Sequence, residues 1–172
     1  MATSVSADHH NAAILCMDYQ NDIVGAYADD RQHELLSKAA AVLSAARRTD
    51  MPVIYVVVRF RNGYPEISPR NKLFQGIKSG NRLRAGTPGA EIHREVAPQA
   101  DEIIVTKRRV GAFSTTDLET VLKSQGITHL VLMGIATSVL SSPPYAGPLM
   151  PTMRSPSSAI AALTPTKRCT AC

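Results

Sequence analysis

Four short runs of apolar residues within residues 12–133 most constrain what this chain can fold into. The runs are Ala12–Met17, Val53–Val58, Ile103–Thr106 and Leu130–Met133. Each is almost continuously apolar rather than alternating, which is typical of strands buried on both faces of a parallel sheet. Helical patterns lie between the runs, so the sequence predicts an α/β fold of three layers, with a doubly wound and mainly parallel sheet.

The segments between the runs predict where helices and loops lie. Apolar residues spaced three and four apart predict a helix over about residues 31–49. A shorter helix is predicted at Ala90–Val96, and another after Ser114 that ends at Gly126. Residues 59–88 are polar and contain Gly and Pro, which predicts a long loop of the kind that is usually functional or mobile.

Composition narrows the class of protein. A chain of 172 residues, 44% apolar and 19% charged, suits one domain with one core. No apolar stretch is long enough to span a bilayer and residues 1–11 carry no secretory signal, so the expected location is the cytoplasm. Cys16, Cys169 and Cys172 are too few for a disulfide framework, and Cys16 lies inside a predicted strand as a small core residue.

The composition changes abruptly from Val139 onwards. Six of the 11 prolines lie in residues 139–172, which contain no acidic residue and supply three of the five net positive charges. Prolines at this density break helices and central strands. The sequence therefore predicts a folded domain at 1–138 and an irregular or partly disordered Pro/Ser-rich tail at 139–172. The remaining two net positive charges of residues 1–138 make the chain a weak candidate for binding nucleic acid.

Three residues at the ends of predicted strands form the candidate site. Asp18 follows the first run, Lys107 the third and Gly134 the fourth. Because ligands of open α/β sheets bind outside the carboxyl ends of the strands, we expect these residues to converge in one crevice. The alternatives are that Asp18 is a loop acid or helix cap and that Lys107, beside Arg108 and Arg109, belongs to a solvated basic edge.

Four segments, in order, resemble the isochorismatase-like superfamily of cysteine hydrolases and nicotinamidase-related proteins. They are ILCMDYQND at Ile14–Asp22, GTPGAEIH at Gly86–His93, the Lys107 segment at Ile103–Leu122 and HLVLMGIATS at His129–Ser138. The resemblance implies a Rossmann-like hydrolase fold, here truncated at its C-terminal side by the tail. It implies a hydrolase that acts on a small metabolite and uses no cofactor. No metal is expected, because the nicotinamidase metal motif is missing.

The resemblance also implies roles for individual residues. Asp18 would be the general acid/base, and Lys107 would hold Asp18 ionised and bind an anionic or carbonyl group. Gln20 and Phe113 would line the substrate pocket, although Phe113 could equally be a core aromatic residue.

The turn after the fourth run would supply the oxyanion hole. Ile135, Ala136 and Thr137 form this turn, with the family's cis peptide between the first two. Members with a cysteine nucleophile carry it where this chain has Leu140, and a hydrocarbon side chain cannot attack a carbonyl. Isochorismatases proper cleave a vinyl ether with the Asp as proton donor and no thiol, so residues 1–138 fit either a vinyl ether or an amide or imide substrate.

Two other classes of function compete with an enzyme. The first is a catalytically silent family member that binds a ligand or assembles with its own copies, which Leu140 favours. The second is a flavodoxin-like nucleotide-binding module, but Tyr19–Tyr27 offers only Gly25 where a phosphate-binding loop needs several glycines. The expected partners are a small-molecule substrate and further copies in a homo-oligomer, with no membrane and no nucleic acid.

The tail also has a genetic interpretation. Back-translation from the Ser138 codon in a shifted reading frame permits a helix, a strand and an acidic loop that resemble the family. We therefore hypothesise a one-base deletion near this codon, with Val at the nucleophile position in the restored frame. Sequencing the coding DNA tests the hypothesis, because codons incompatible with the shifted frame would refute it.

Overall fold

The computed structural model describes residues 11–27 and 31–135. In chain order its elements are β1 (Ala12–Met17), α1 (Asn21–Tyr27), α2 (Gln32–Arg48), β2 (Val53–Val58), α3 (Lys72–Ser79), β3 (Ile103–Lys107), α4 (Leu118–Ser124) and β4 (His129–Gly134). All four predicted strands are present, and the predicted helix at 31–49 differs from α2 by one residue at each end. The predicted tail at 139–172 lies outside the described residues.

The four strands form one parallel sheet in the order β3-β2-β1-β4. The chain starts in the middle with β1, moves outward through β2 and β3, and then returns to the other side of β1 with β4. The order therefore reverses between β1 and β4, which makes the carboxyl ends of these strands the expected place for a ligand. The predicted doubly wound α/β fold is confirmed.

Helices cover both faces of the sheet. Ile14 and Cys16 of β1 point into a core with α1 and α2, where Leu36 and Leu43 are almost completely buried. Leu15 and Met17 point the other way, into a second core with Leu118 and Leu122 of α4. Because β1 and β2 are buried on both faces, their continuous apolar runs are explained, and the structure has the three predicted layers.

Two local predictions between β2 and β3 are wrong. The predicted loop at 59–88 contains the helix α3, which Asn71 caps by accepting a hydrogen bond from the Phe74 N–H at 3.2 Å. The predicted helix at 90–96 is instead two single 3-10 turns, Pro88–Ala90 and Arg94–Val96. The backbone between these turns is extended, because Ile92 forms an antiparallel bridge with Gln20.

The prediction that all four strands are buried on both faces fails for β3, where Ile104 is 40% exposed, and most clearly for β4. Val131 is 46% exposed and Leu132 is 50% exposed, although both are large apolar residues. β4 pairs with β1 on one side and forms the edge of the sheet within the part of the chain that the structure describes. Its apolar composition therefore does not reflect burial among these residues.

Candidate active site

Asp18 and Lys107 form a buried ion pair at the carboxyl edge of the sheet. The Lys107 Nζ lies 2.9 Å from the Asp18 Oδ2, and the two residues are only 3% and 4% exposed. Asp18 directly follows β1, and Lys107 is the last residue of β3. Because β2 separates these strands, the pair spans the end of β2. The expected convergence of these two side chains is therefore present in the structure.

The backbone at Asp18 is unusual. Its φ angle is +63°, in the left-handed region that Asp tolerates better than most residues. The Asp18 N–H still donates to the Val56 carbonyl at 3.1 Å, as a strand residue would, and the chain then leaves the sheet. This departure turns the carboxylate across the end of β2, where the Lys107 ammonium also donates to the Val110 carbonyl at 3.3 Å.

The environment of Asp18 opposes its negative charge. Burial raises the pKa of Asp18 above its usual value, while the charge and the hydrogen bond of Lys107 act in the opposite direction. Oδ2 is occupied by Lys107, whereas Oδ1 is buried without a hydrogen-bond partner among the described residues. A carboxyl group of this kind can exchange a proton with a bound molecule through its second oxygen.

A glycine at the end of β4 permits a close approach to β1 directly before Asp18. A Cβ atom at Gly134 would lie only 2.7 Å from the Met17 carbonyl oxygen, so only glycine permits this approach of β4 to β1. Ile135 is buried and packs in the same core as Tyr19. The predicted Ala136 and Thr137 contacts, the 135–136 peptide bond and position 140 lie outside the described residues.

The two predicted pocket residues differ in their surroundings. Gln20 is fully buried, and its amide group is hydrogen-bonded to the backbone of Val58 and Ala90. Phe113 lies in the loop between β3 and α4 and is 48% exposed. The assignment of both to a substrate pocket stays a prediction.

Asn21 and Asp22 have roles that the sequence does not reveal. The Asn21 side chain donates to the Pro88 carbonyl at 2.7 Å, and the Asp22 Oδ2 accepts from the Leu83 N–H at 2.7 Å. Gly89 packs against the Asp22 carboxylate so closely that a Cβ atom would collide with it. The motif after β1 thus fastens the segment 83–91 beside the site. In the sequence, the polar pair directly after a buried strand indicates that these side chains have binding partners, but it does not identify the segment that they bind.

A second unpredicted feature is Glu66, which joins two loops at the rim of the site. Its Oε1 forms ion pairs with Arg61 at 3.0 Å and Arg108 at 3.1 Å, and its carbonyl accepts from Arg109 at 3.1 Å. The loop after β2 is therefore bound to the turn that follows Lys107. The alternative of a simply solvated basic edge does not describe Arg108, which is partly buried against Glu66.

Other parts of the described structure offer less to catalysis. Cys16 is 1% exposed in β1, and burial raises the pKa of its thiol, so it is a poor nucleophile. A cavity of about 640 Å³ is lined by Val53 and Ile103, at the amino ends of β2 and β3, opposite the Asp18–Lys107 pair. Within residues 11–27 and 31–135, no group of three or more potential ligands could hold a metal ion, and no helix could cross a membrane.

Solved structures share this fold. A cysteine hydrolase from Pseudomonas syringae pv. phaseolicola matches with a TM-score of 0.66 and 22% identity, over 76% of this chain and 62% of that protein. An isochorismatase-like hydrolase from Alkaliphilus metalliredigens matches at 0.56 and 30% identity, over 74% of this chain and 66% of that protein. N-carbamoylsarcosine amidase from Thermoplasma acidophilum matches at 0.56 and 23% identity, over 73% and 68%.

The family comparison agrees with the order of the motifs. The model of the isochorismatase domain matches residues 12–140, which is most of the chain and includes both members of the buried ion pair. The match spans all four strands and both cores. The chain belongs to the isochorismatase family.

Proposed function

We propose that this protein is a hydrolase of a small metabolite in which Asp18 transfers protons and Lys107 supplies positive charge. The observation that carries the proposal is the buried 2.9 Å ion pair at the carboxyl edge of the sheet, in which Asp18 ends β1, the strand beside which the strand order reverses. Two opposite charges at the functional edge of such a sheet favour a catalytic role over a purely structural one.

The chemistry follows from the two oxygens of Asp18. Lys107 holds Oδ2, so Oδ1 is left to give a proton to a bound substrate or to take one from water. The raised pKa of Asp18 helps, because an acid/base group works best when its pKa approaches the working pH. The backbone N–H groups of Ile135–Thr137 would stabilise negative charge that develops on the substrate.

The bond that is cleaved depends on the nucleophile. Leu140 stands where the resemblance places the family's thiol, and Cys16 is buried inside β1. Water would therefore be the attacking group, activated through Asp18 or adding after Asp18 has protonated the substrate. A vinyl ether needs only such a proton donor, whereas an amide or imide resists attack by water without a thiol. We therefore favour the vinyl ether as the substrate class.

A catalytically silent protein is the second candidate. Leu140 supports it, and the exposed Val131 and Leu132 on β4 support a role in assembly with other copies. Both candidate functions include the binding of a small molecule and assembly into a homo-oligomer. The cytoplasmic location stays a prediction from composition.

Turnover of defined substrates separates the two candidates. The full chain is assayed with isochorismate and with simple amides, beside Asp18→Ala and the control Asp101→Ala, whose side chain is exposed at the opposite edge of the sheet. We expect hydrolysis of the vinyl ether, about 100-fold or more slower in Asp18→Ala and unchanged in the control. A folded protein without turnover of either substrate would support the silent protein instead.

A further inference from the structure

The side chain of Gln20 makes the hydrogen bonds to β2 that β1 would make if it continued as a strand. Along β1, Ile14 donates to the Pro52 carbonyl at 2.9 Å, and Asp18 donates to the Val56 carbonyl at 3.1 Å. A parallel ladder advances two residues on each strand, so the Val58 N–H would next donate to the Asp18 carbonyl and the Val58 carbonyl would accept from the N–H of residue 20. The backbone has left the sheet by then, because Asp18 has a φ angle of +63°.

The carboxamide of Gln20 makes the two bonds that the backbone no longer makes. Its Nε2 donates to the Val58 carbonyl at 2.6 Å, and its Oε1 accepts from the Val58 N–H at 2.8 Å. Nε2 also donates to the Ala90 carbonyl at 3.0 Å. A side-chain amide has the same donor and acceptor pair as a peptide group, so it can extend the ladder by one step. Every polar atom of the buried amide is thereby paired.

The turn at Asp18 is consequently fixed on both sides. Before it, the Asp18 N–H is bound to β2, and after it the Gln20 amide is bound to the end of the same strand. The Tyr19 carbonyl accepts from the His93 N–H at 2.8 Å, which holds the middle of the turn. A left-handed residue persists only when its surroundings determine it in this way.

We propose that Gln20 is a positioning residue, whose carboxamide takes over the two hydrogen bonds to Val58 that a continued β1–β2 ladder would make, and so holds Asp18 in the left-handed conformation that faces Lys107. The inference rests on the proposed function only in that this function gives the Asp18–Lys107 pair a catalytic purpose. The conformation of Asp18 can be tested without measuring turnover. Gln20 thus acts through Asp18, and this role requires no contact with the substrate.

The neighbouring Asn21 provides a matched control. Its side-chain amide also binds the segment that contains Ala90, through the Pro88 carbonyl at 2.7 Å, but it is exposed and makes no bond to β2. Loss of Asn21 should therefore weaken the contact with this segment without affecting the end of the ladder. Any effect confined to Gln20 then belongs to its bonds with Val58.

The first test uses the unaltered full chain. Nuclear magnetic resonance measures hydrogen exchange of the side-chain amide protons, and we expect those of Gln20 to exchange at least about 10-fold more slowly than those of Asn21. Equal, rapid exchange at both amides would overturn the proposal, because it would mean that the Gln20 amide is not held in the ladder. This measurement needs no variant and is independent of enzymatic activity.

The second test follows Asp18 itself. The carboxyl carbon of Asp18 is titrated in wild type, in Gln20→Met, which keeps the length of the side chain, and in Asn21→Ala. We expect the pKa of Asp18 to move towards the ordinary value of about 3.9 in Gln20→Met but not in Asn21→Ala, because the freed carboxyl group reaches water. Gln20→Asn, whose amide is too short to reach both Val58 atoms, should shift the titration in the same direction. Unchanged titration in a folded Gln20 variant would contradict the proposal, whether or not the protein hydrolyses any substrate.

Discussion

The Lys107 ammonium is buried because of the carboxylate that it binds. A charged group that is only 3% exposed is tolerated in a protein when it is paired and hydrogen-bonded, as this one is with Asp18 and the Val110 carbonyl. Removing one partner leaves the other buried and uncompensated. A buried carboxyl group can lose its charge by taking up a proton as the pH falls, so the effect of removing Lys107 should depend on pH.

Replacing Lys107 with Met should make stability depend on pH. Asp18 would remain buried without its counter-charge, and its pKa would rise further above the unfolded value of about 3.9. The folded state would then bind more protons than the unfolded state, so the free energy of unfolding should fall as the pH rises from about 4 through the folded pKa. We expect a loss of about 3–5 kcal/mol at pH 8 and a smaller loss at pH 5, measured by urea denaturation.

Lys123→Met is the control for this experiment. Lys123 pairs with Glu119 on the surface of α4, and its side chain is 73% exposed. Its loss should change stability little at either pH. An equal loss at pH 5 and pH 8 in Lys107→Met would show that the buried pair does not control the titration of Asp18.

Gly134 offers a second prediction for a single residue. A methyl group there would lie against the Met17 carbonyl oxygen, so Gly134→Ala should lower the free energy of unfolding by about 1–3 kcal/mol through overpacking. Gly76→Ala is the matched control, because Gly76 lies in α3 and a methyl group there would have no neighbouring atom within 4 Å. The control should be neutral or more stable by up to about 1 kcal/mol. Similar melting curves for both variants would argue against the close approach of β4 to β1.

Single residues were predictable from the sequence when their position depended on local pattern. Asp18, Lys107 and Gly134 each follow an apolar run, so the topology of a parallel sheet was enough to bring them to one edge. The partners of Gln20 and Asp22 lie about 38 and 61 residues away along the chain. No local pattern encodes such distant contacts, which is why these two residues could not be given their structural roles.

Among the secondary-structure elements, burial decides which patterns are visible in the sequence. β1, β2 and α2 are long or fully buried, and their bounds were predicted to within a residue. The helix α3 was missed because Gly76 within it, Gly80 directly after it and two lysines obscure its pattern. It is held by tertiary contacts, chiefly Phe74, which packs edge-on against Phe60 at a ring-centroid distance of 5.4 Å. The helix predicted at 90–96 is absent although its sequence pattern is helical. A tertiary contact, the bridge between Ile92 and Gln20, overrides that pattern.

The segment 83–91 gives a prediction at this scale. Asp22→Ala removes the acceptor of the Leu83 N–H, at a residue with a φ angle of +54°. An unpaired amide of this kind costs about 1–3 kcal/mol, so the segment should open more often. We expect faster tryptic cleavage after Arg84 than in wild type. Asp117→Ala, an exposed residue that makes no cap hydrogen bond to α4, should leave the cleavage rate unchanged. Unaltered cleavage in Asp22→Ala would mean that other contacts hold the segment.

At the scale of the whole molecule, β4 is the most exposed strand of the sheet within the part of the chain that the structure describes. Its side chains include no charged residue, and neither Lys nor Pro protects this edge, although natural edge strands usually carry such residues. The chain covers 62% of the length of the cysteine hydrolase with the same fold. Motif order was sufficient to predict the fold and the family, whereas the solvent exposure of β4 required the coordinates.

The exposed apolar side chains of β4 should promote self-association. Leu132→Lys places a charge on this edge and should lower the sedimentation coefficient of the protein at a given concentration. Leu73→Lys is the control, because Leu73 is 61% exposed on α3, away from the sheet edge. A wild-type protein that is monomeric and melts in one sharp transition at high temperature would contradict this expectation.

The central claim is that Asp18 and Lys107 act as one catalytic unit, and a double-mutant cycle on kcat/KM tests it most directly. Asp18→Asn and Lys107→Met should each lower kcat/KM by about 100-fold or more. Because residues that act together have non-additive effects, the double variant should be no slower than the slower single variant. Effects that multiply in the double variant, or a single variant that keeps the wild-type rate, would contradict the claim.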